Sequence, residues 1–141
     1  MKYVLDSSVA FKWVMQEADT AKAQQLRDDF RTAIHELLAP DIFPFEIAHA
    51  LTRAERQRRL KVGQAVVDWA AVLTTPPVFI PAFPLLPRAI QISSSARIGV
   101  YDCLYVALAE REGCEFVTAD MRLVSNLKPQ FPFIIPLAAL P

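Results

Sequence analysis

Along this chain, short uninterrupted apolar runs alternate with longer stretches in which apolar residues recur every three or four positions. The first rhythm predicts buried strands and the second amphipathic helices. "KYVL", Lys2 to Leu5, reads as a first strand, closed by "DSS", where Asp6, Ser7 and Ser8 are placed to cap a helix beginning near Val9. A charged helix follows over Ala18 to Glu36, then a short strand over Leu37 to Ala39. "PDIFPFEIAHALTRAERQRR" predicts a long helix with Asp41 as N-cap and Pro44 tolerated in its first turn. Gly63 opens another helix to about Thr74, a strand lies around Val78 to Ile80, and a helix runs from about Leu85 to Ala96. The stretch "GVYDCLYVALAEREGCEFVTAD" gives a helix with one buried stripe and then a strand, Phe116 to Thr118. "FPFIIPL" is a last strand, and Pro132 and Pro136 assign it to a sheet edge because proline cannot donate to a ladder. Strands alternating with helices imply one α/β domain over residues 1–141, with a central, mostly parallel sheet of about five short strands flanked by helices.

Composition narrows this picture. The 141 residues suffice for one core that buries roughly 70% of the unfolded surface. With 15 basic and 15 acidic side chains the formal charge is zero, so any binding to nucleic acid must rest on a local patch or a metal. Cys103 and Cys114 stand at opposite ends of one predicted helix, too far apart for a bridge, and read as core thiols in a reducing compartment. Prolines at 76, 77, 81, 84 and 87 interrupt the one long uncharged window, which excludes a spanning helix. The expectation is a soluble cytoplasmic protein without a membrane segment.

Two aspartates occupy junctions in the opening pattern. Asp102 falls in the first turn of its helix and Asp120 just past a strand, as Asp6 does near the N-terminus. In a parallel α/β sheet, sites form at the carboxyl ends of strands, so Asp6 and Asp120 are expected on one edge. Glu46 is a fourth acid, set on a helix otherwise apolar at Ile42, Phe43, Phe45, Ile47, Ala50 and Leu51. If the four converge, each close pair repels by about 4 kcal/mol at a separation of about 4 Å and an effective dielectric near 20. Such a cluster needs a cation. An all-oxygen donor set suits Mg²⁺ or Mn²⁺, and the His and Cys spacings of a zinc site are missing. Carboxylate-held Mg²⁺ is a common device for phosphodiester hydrolysis. A blander reading stays open on spacing alone: Asp6 and Asp120 as helix caps, and Asp102 as a first-turn partner of the helix dipole.

Four motifs taken together, "VLDSSVAFKWVMQE", "PFEIAHAL", "YDCLYVALAE" and "FVTADMRL", resemble the PIN domain, and most closely its VapC-type toxins of bacterial toxin-antitoxin pairs. The resemblance spans nearly the whole chain, in order. It implies a PIN-like α/β domain, Mg²⁺- or Mn²⁺-dependent endoribonuclease activity, and a cognate antitoxin that occludes the site. Its catalytic acids map onto Asp6, Glu46, Asp102 and Asp120, with Asp6, Asp102 and Asp120 as metal ligands. Ser8 and Thr118 resemble the polar residues that support the site. His49 departs from the pattern, standing where many relatives carry a small polar residue such as Asn.

The basic run "RAERQRRLK" puts Arg53 seven residues beyond Glu46, on nearly the same helix face and about 10.5 Å along the axis. Arg53, Lys12 and His49 are therefore candidate RNA contacts, set against a solvated helix end for Arg53, a snorkelling surface lysine for Lys12, and packing, a surface role or orientation of Glu46 for His49. A hydrophobic content of 53% is high for a small monomer, and the apolar residues of Val9 to Met15 and Phe43 to Leu51 are available for a homodimer or antitoxin interface. Two other functions compete. A catalytically silent PIN-like binding module would have no reason to keep repelling acids. A phosphotransfer domain accepting at Asp6 would want a second aspartate where Ser8 stands.

Overall fold

The computed structural model describes all 141 residues. Five strands, β1 (Lys2–Leu5), β2 (Glu36–Pro40), β3 (Val78–Ile80), β4 (Glu115–Thr118) and β5 (Ile134–Pro136), form one sheet in the order β3-β2-β1-β4-β5. Every pairing is parallel, so the sheet is wholly rather than mostly parallel. Seven helices connect and cover it: α1 (Ser7–Phe11), α2 (Thr20–Arg31), α3 (Phe43–Arg56), α4 (Gln64–Val72), α5 (Leu86–Ala96), α6 (Val100–Glu112) and α7 (Met121–Leu127). Covered on both faces, β1 and β4 are almost entirely buried, which is why they read as continuous apolar runs. β5 takes the expected edge, with Pro136 at its end and Pro132 in the turn before it.

Several boundaries shift, each for a local reason. α1 begins at Ser7 rather than near Val9. α2 covers Thr20–Arg31 rather than Ala18 to Glu36, because Asp19 and Ala33 adopt left-handed backbone (φ 61° and 60°) and Glu36 is drawn into the sheet opposite Lys2. Asp41 does not cap α3. Ile42 holds that position, and the Asp41 carboxylate instead accepts the Ala82 N–H at 3.1 Å, tying β2 to the turn after β3. α3 stops at Arg56 and Arg58 turns left-handed (φ 61°), so Arg58, Arg59 and Lys61 lie beyond the helix. Gly63 has the positive φ (87°) that starts α4, which ends at Val72 rather than Thr74.

α6 differs in kind from its expected single stripe: seven consecutive residues, Cys103 to Ala109, are buried. A helix apolar on every side belongs inside, and α6 packs against α5 on one side and β1, β2 and β4 on the other. Gly113 closes it in the left-handed region (φ 63°) that glycine enters without steric cost. The apolar surplus of Val9 to Met15 and Phe43 to Leu51 is mostly core: Val9, Ala10, Trp13, Met15, Phe43, Ile47 and Leu51 are buried, whereas Phe45 stays 75% exposed. Both cysteines are free, Cys103 fully buried and Cys114 half-buried. No helix is long and apolar enough to cross a membrane.

Candidate active site

Topology gathers the acids. Asp6 directly follows β1, and Asp120 lies two residues past the end of β4, the neighbour of β1 in the sheet. α3 leaves the carboxyl end of β2, so Glu46 in its first turn sits at that edge. α6 runs back to begin β4, so its first turn, with Asp102, sits there too. Sequence separations of about a hundred residues thus close on one edge, as parallel strands require.

Asp6 occupies the N-cap position of α1 yet makes no side-chain cap bond. Only 5% exposed, its Oδ2 accepts the Thr118 hydroxyl at 2.6 Å and the Ser8 hydroxyl at 2.8 Å. With both hydroxyl protons committed, the two oxygens serve as acceptors on their other side: Ser8 Oγ accepts the Ala119 N–H and Thr118 Oγ1 accepts the Asp120 N–H, each at 3.0 Å. A closed lattice therefore links the end of β1 to the end of β4. Burial still pushes the Asp6 carboxyl above its ordinary range, the two hydroxyls oppose that shift, and the charge of Asp120 adds to it.

Asp120 does cap its helix, through Oδ1, which accepts the N–H groups of Arg122 and Leu123 at 3.0 and 3.3 Å. The capping reading is thus correct for Asp120 and incorrect for Asp6. Asp102, half-buried, makes neither an ion pair nor a side-chain hydrogen bond within the chain. Its pKa is pushed up to about 6 by burial first and then by the charges of Asp6 and Asp120, and no cation draws it back. Asp6, Asp102 and Asp120 line one open cleft of about 580 Å³, together with Lys12 and Arg53.

Glu46 does not line this cleft with the three aspartates; it lines a neighbouring apolar groove of about 580 Å³ with Ile42, Phe45, His49 and Tyr101, and Ser7 and Ala50 are common to the two. Burial raises its pKa to about 7; a hydrogen bond from Tyr105 opposes the shift, and Asp6 and Asp102 reinforce it. The Tyr105 hydroxyl donates to Glu46 Oε1 at 2.6 Å, and its fully buried ring stacks on Phe116 with centroids 5.7 Å apart. Sequence reasoning missed Tyr105. Its spacing of three from Asp102 on one helix is the signal that points to it.

The candidate contacts separate. Arg53 is exposed and lines the acid cleft with its guanidinium uncommitted. Lys12 reaches the cleft wall but is paired with Glu17 at 3.3 Å, so it is not a free surface lysine. His49 is exposed in the apolar groove beside Glu46 and is not packed into the core.

No three carboxylate, imidazole or thiolate groups converge closely enough to enclose an ion among them, so the four acids form a looser cluster than their sequence pattern predicts. That spacing suits one class of cation. Mg²⁺ retains several waters and is commonly held by one or two carboxylates plus substrate phosphates. The donor set fits it: all oxygen, mutually repelling, with Asp102 wholly unpartnered and none of the four acids in a salt bridge.

A family model described as the PIN domain matches residues 3–126. VapC ribonuclease Mb0985 of Mycobacterium bovis and ribonuclease VapC9 of Mycobacterium tuberculosis are each 31% identical over 135 residues, covering 94% of this chain and 96% of theirs. Ribonuclease VapC12 of Mycobacterium tuberculosis is 31% identical over 124 residues, covering 87% and 90%. Among solved structures, PAE2754 from Pyrobaculum aerophilum superposes with a TM-score of 0.69 at 21% identity, over 98% of this chain and 93% of that one. VapBC2 from Rickettsia felis, bound to a DNA fragment from its promoter, gives 0.66 at 14% identity over 96% and 97%.

Proposed function

The chain belongs to the PIN-domain family, and on that premise we propose that it is an Mg²⁺- or Mn²⁺-dependent endoribonuclease, the toxin of a toxin-antitoxin pair, hydrolysing RNA phosphodiester bonds in the cytoplasm. The observation that carries this reading is Asp102: a carboxylate without any partner in the chain, raised to a pKa of about 6 beside Asp6 and Asp120. A folded protein keeps such repulsion where something outside the chain relieves it.

Asp6, Asp102 and Asp120 would hold the ion between them, one or two directly and the rest through the waters it retains, and when bound it supplies an acidified water and shields charge on the phosphate. The protein's own groups are arranged to serve that chemistry. Thr118 and Ser8 both fix Asp6 by Oδ2, and the backbone of α7 fixes Asp120 by Oδ1, so each carboxylate keeps its other oxygen available. Glu46, with a pKa of about 7 and Oε1 anchored by Tyr105, can hold or release a proton at its second oxygen near neutral pH. Arg53 faces the cleft and is free to contact phosphate, while Lys12 lines the same cleft paired with Glu17. The exposed Phe45 and Tyr101 beside the site supply apolar surface for the antitoxin or a second copy in a homodimer, the assembly we assign to a single PIN domain of residues 1–141.

The alternative, a catalytically silent PIN-like module, draws on the absence of a tight three-carboxylate cluster. Incubation with single-stranded RNA separates the two. Cleavage that stops in EDTA, resumes with Mg²⁺ or Mn²⁺, and is lost in Asp6→Asn and Asp102→Asn supports the nuclease. Metal-independent cleavage, or cleavage surviving either substitution, refutes the assignment; no cleavage under any condition supports the silent module.

A further inference from the structure

We propose that Arg97 and Arg122 form a second phosphate-binding subsite, on the far side of the acid cluster from Arg53, which holds the backbone of a single-stranded RNA beyond the cleaved bond. This deepens the nuclease reading and rests on it. Both arginines line a polar pocket of about 140 Å³ whose other wall includes Asp102 and Asp120, the same two carboxylates that line the Arg53 cleft. The acids are thus flanked by guanidinium groups on two sides.

Four other arginines, Arg31, Arg59, Arg88 and Arg111, make ion pairs with neighbouring carboxylates. Arg97 and Arg122 do not, although two aspartates share their pocket, and neither guanidinium makes a hydrogen bond within the chain. They are therefore not the counterions of Asp102 and Asp120. Two exposed, uncommitted forks in a polar recess match the oxygens of a phosphate, which guanidinium binds in bidentate fashion. In a chain of zero net charge this is local recognition rather than general attraction.

The backbone makes the inference testable without unfolding the protein. Arg97 closes α5 in the left-handed region (φ 57°), where glycine is at ease, so Arg97→Gly preserves the turn. Arg122 meets Asp120 through its backbone N–H, so Arg122→Ala preserves that cap. Arg56 and Arg58 provide a matched control at the far end of α3, with Arg58 also left-handed (φ 61°).

The measurement is the affinity of a labelled single-stranded oligoribonucleotide at several salt concentrations, in an Asp6→Asn background that keeps the strand intact. Loss of two phosphate contacts, at about 0.7 each, should flatten the slope of log affinity against log salt by about 1.4 in Arg97→Gly/Arg122→Ala. Between about 50 and 200 mM salt the double variant should lose about sevenfold less affinity than its parent. Arg56→Ala/Arg58→Gly should keep the parent slope. With Asp6 intact, the Arg97/Arg122 variant should show a raised KM for the same RNA and the wild-type pH profile. An unchanged slope, or an equal flattening in the control pair, overturns the subsite; so does loss of binding to a protein partner with RNA affinity intact. If the wild type neither binds nor cuts RNA, the nuclease reading itself has failed, and the subsite with it.

Discussion

The Thr118 hydroxyl donates to Asp6 Oδ2 at 2.6 Å while its oxygen accepts the Asp120 N–H at 3.0 Å, so one fully buried side chain positions two acids that lie 114 residues apart in sequence. Thr118→Val keeps the shape and removes both bonds. Asp6 loses a donor that holds its pKa down, so its carboxyl should protonate at higher pH. RNA cleavage is expected to fall about 10- to 100-fold, with the acid limb of the kcat/KM profile moved to higher pH. Thr118→Ser should retain most activity. A Thr118→Val enzyme with the wild-type rate and profile would show that the lattice does not tune the site.

Asp102→Asn should stabilise the metal-free protein while abolishing cleavage. Because the folded pKa of about 6 lies above the ordinary 3.8, the native state holds the proton more tightly. This contribution to stability is complete below about 3.8 and is lost as pH rises through about 6. Asparagine does not titrate. In EDTA the variant is expected to exceed the wild type at pH 8 by on the order of 1 kcal/mol, a few degrees in Tm, with the gap closing toward pH 4. Thermal unfolding across that range checks it; a variant less stable at pH 8 contradicts the repulsion.

Tyr105→Phe tests Glu46. The hydroxyl lowers the Glu46 pKa from what burial alone would impose, so its removal should raise the value above about 7. Stability should drop by about 1–2 kcal/mol at pH 8, where the glutamate is ionised and loses its donor. Cleavage near neutral pH should decline and recover at higher pH. A profile unmoved by this substitution would remove Glu46 from the rate-controlling titration.

Arg27 separates stability from activity. It is 7% exposed, donates to Thr75 Oγ1 and the Ala71 carbonyl at 2.7 Å, and lies over the Trp13 ring at 4.7 Å, without a carboxylate partner. It fastens α2 to the end of α4, away from the acids. Arg27→Ala should cost about 2–3 kcal/mol in denaturant unfolding while leaving kcat/KM unchanged at temperatures where the variant is folded.

Much of this was legible before folding because it is encoded locally. Strand runs such as "KYVL" and "VFI", Pro132 and Pro136 around β5, and the junction positions of Asp6, Asp102 and Asp120 all carry their structural meaning in short windows. What stayed hidden depends on tertiary neighbours. Whether a cap-position aspartate caps is decided by Thr118 and Ser8 for Asp6 and by α7 for Asp120. The all-round burial of α6 and the orientation of Tyr105 depend on what packs against that helix. Asp41 looks like a cap and becomes a loop tether because Ala82 comes within reach. The free guanidinium groups of Arg97 and Arg122 are likewise invisible until the pocket that contains Asp102 and Asp120 has formed.

Metal binding by the three aspartates is tested most directly by calorimetric titration of Mn²⁺ into the wild type and Asp102→Asn at pH 8. Saturable uptake by the wild type, weakened by more than about tenfold in the variant, is the expected result. Superimposable isotherms, or no uptake by the wild type at millimolar Mn²⁺, would contradict it.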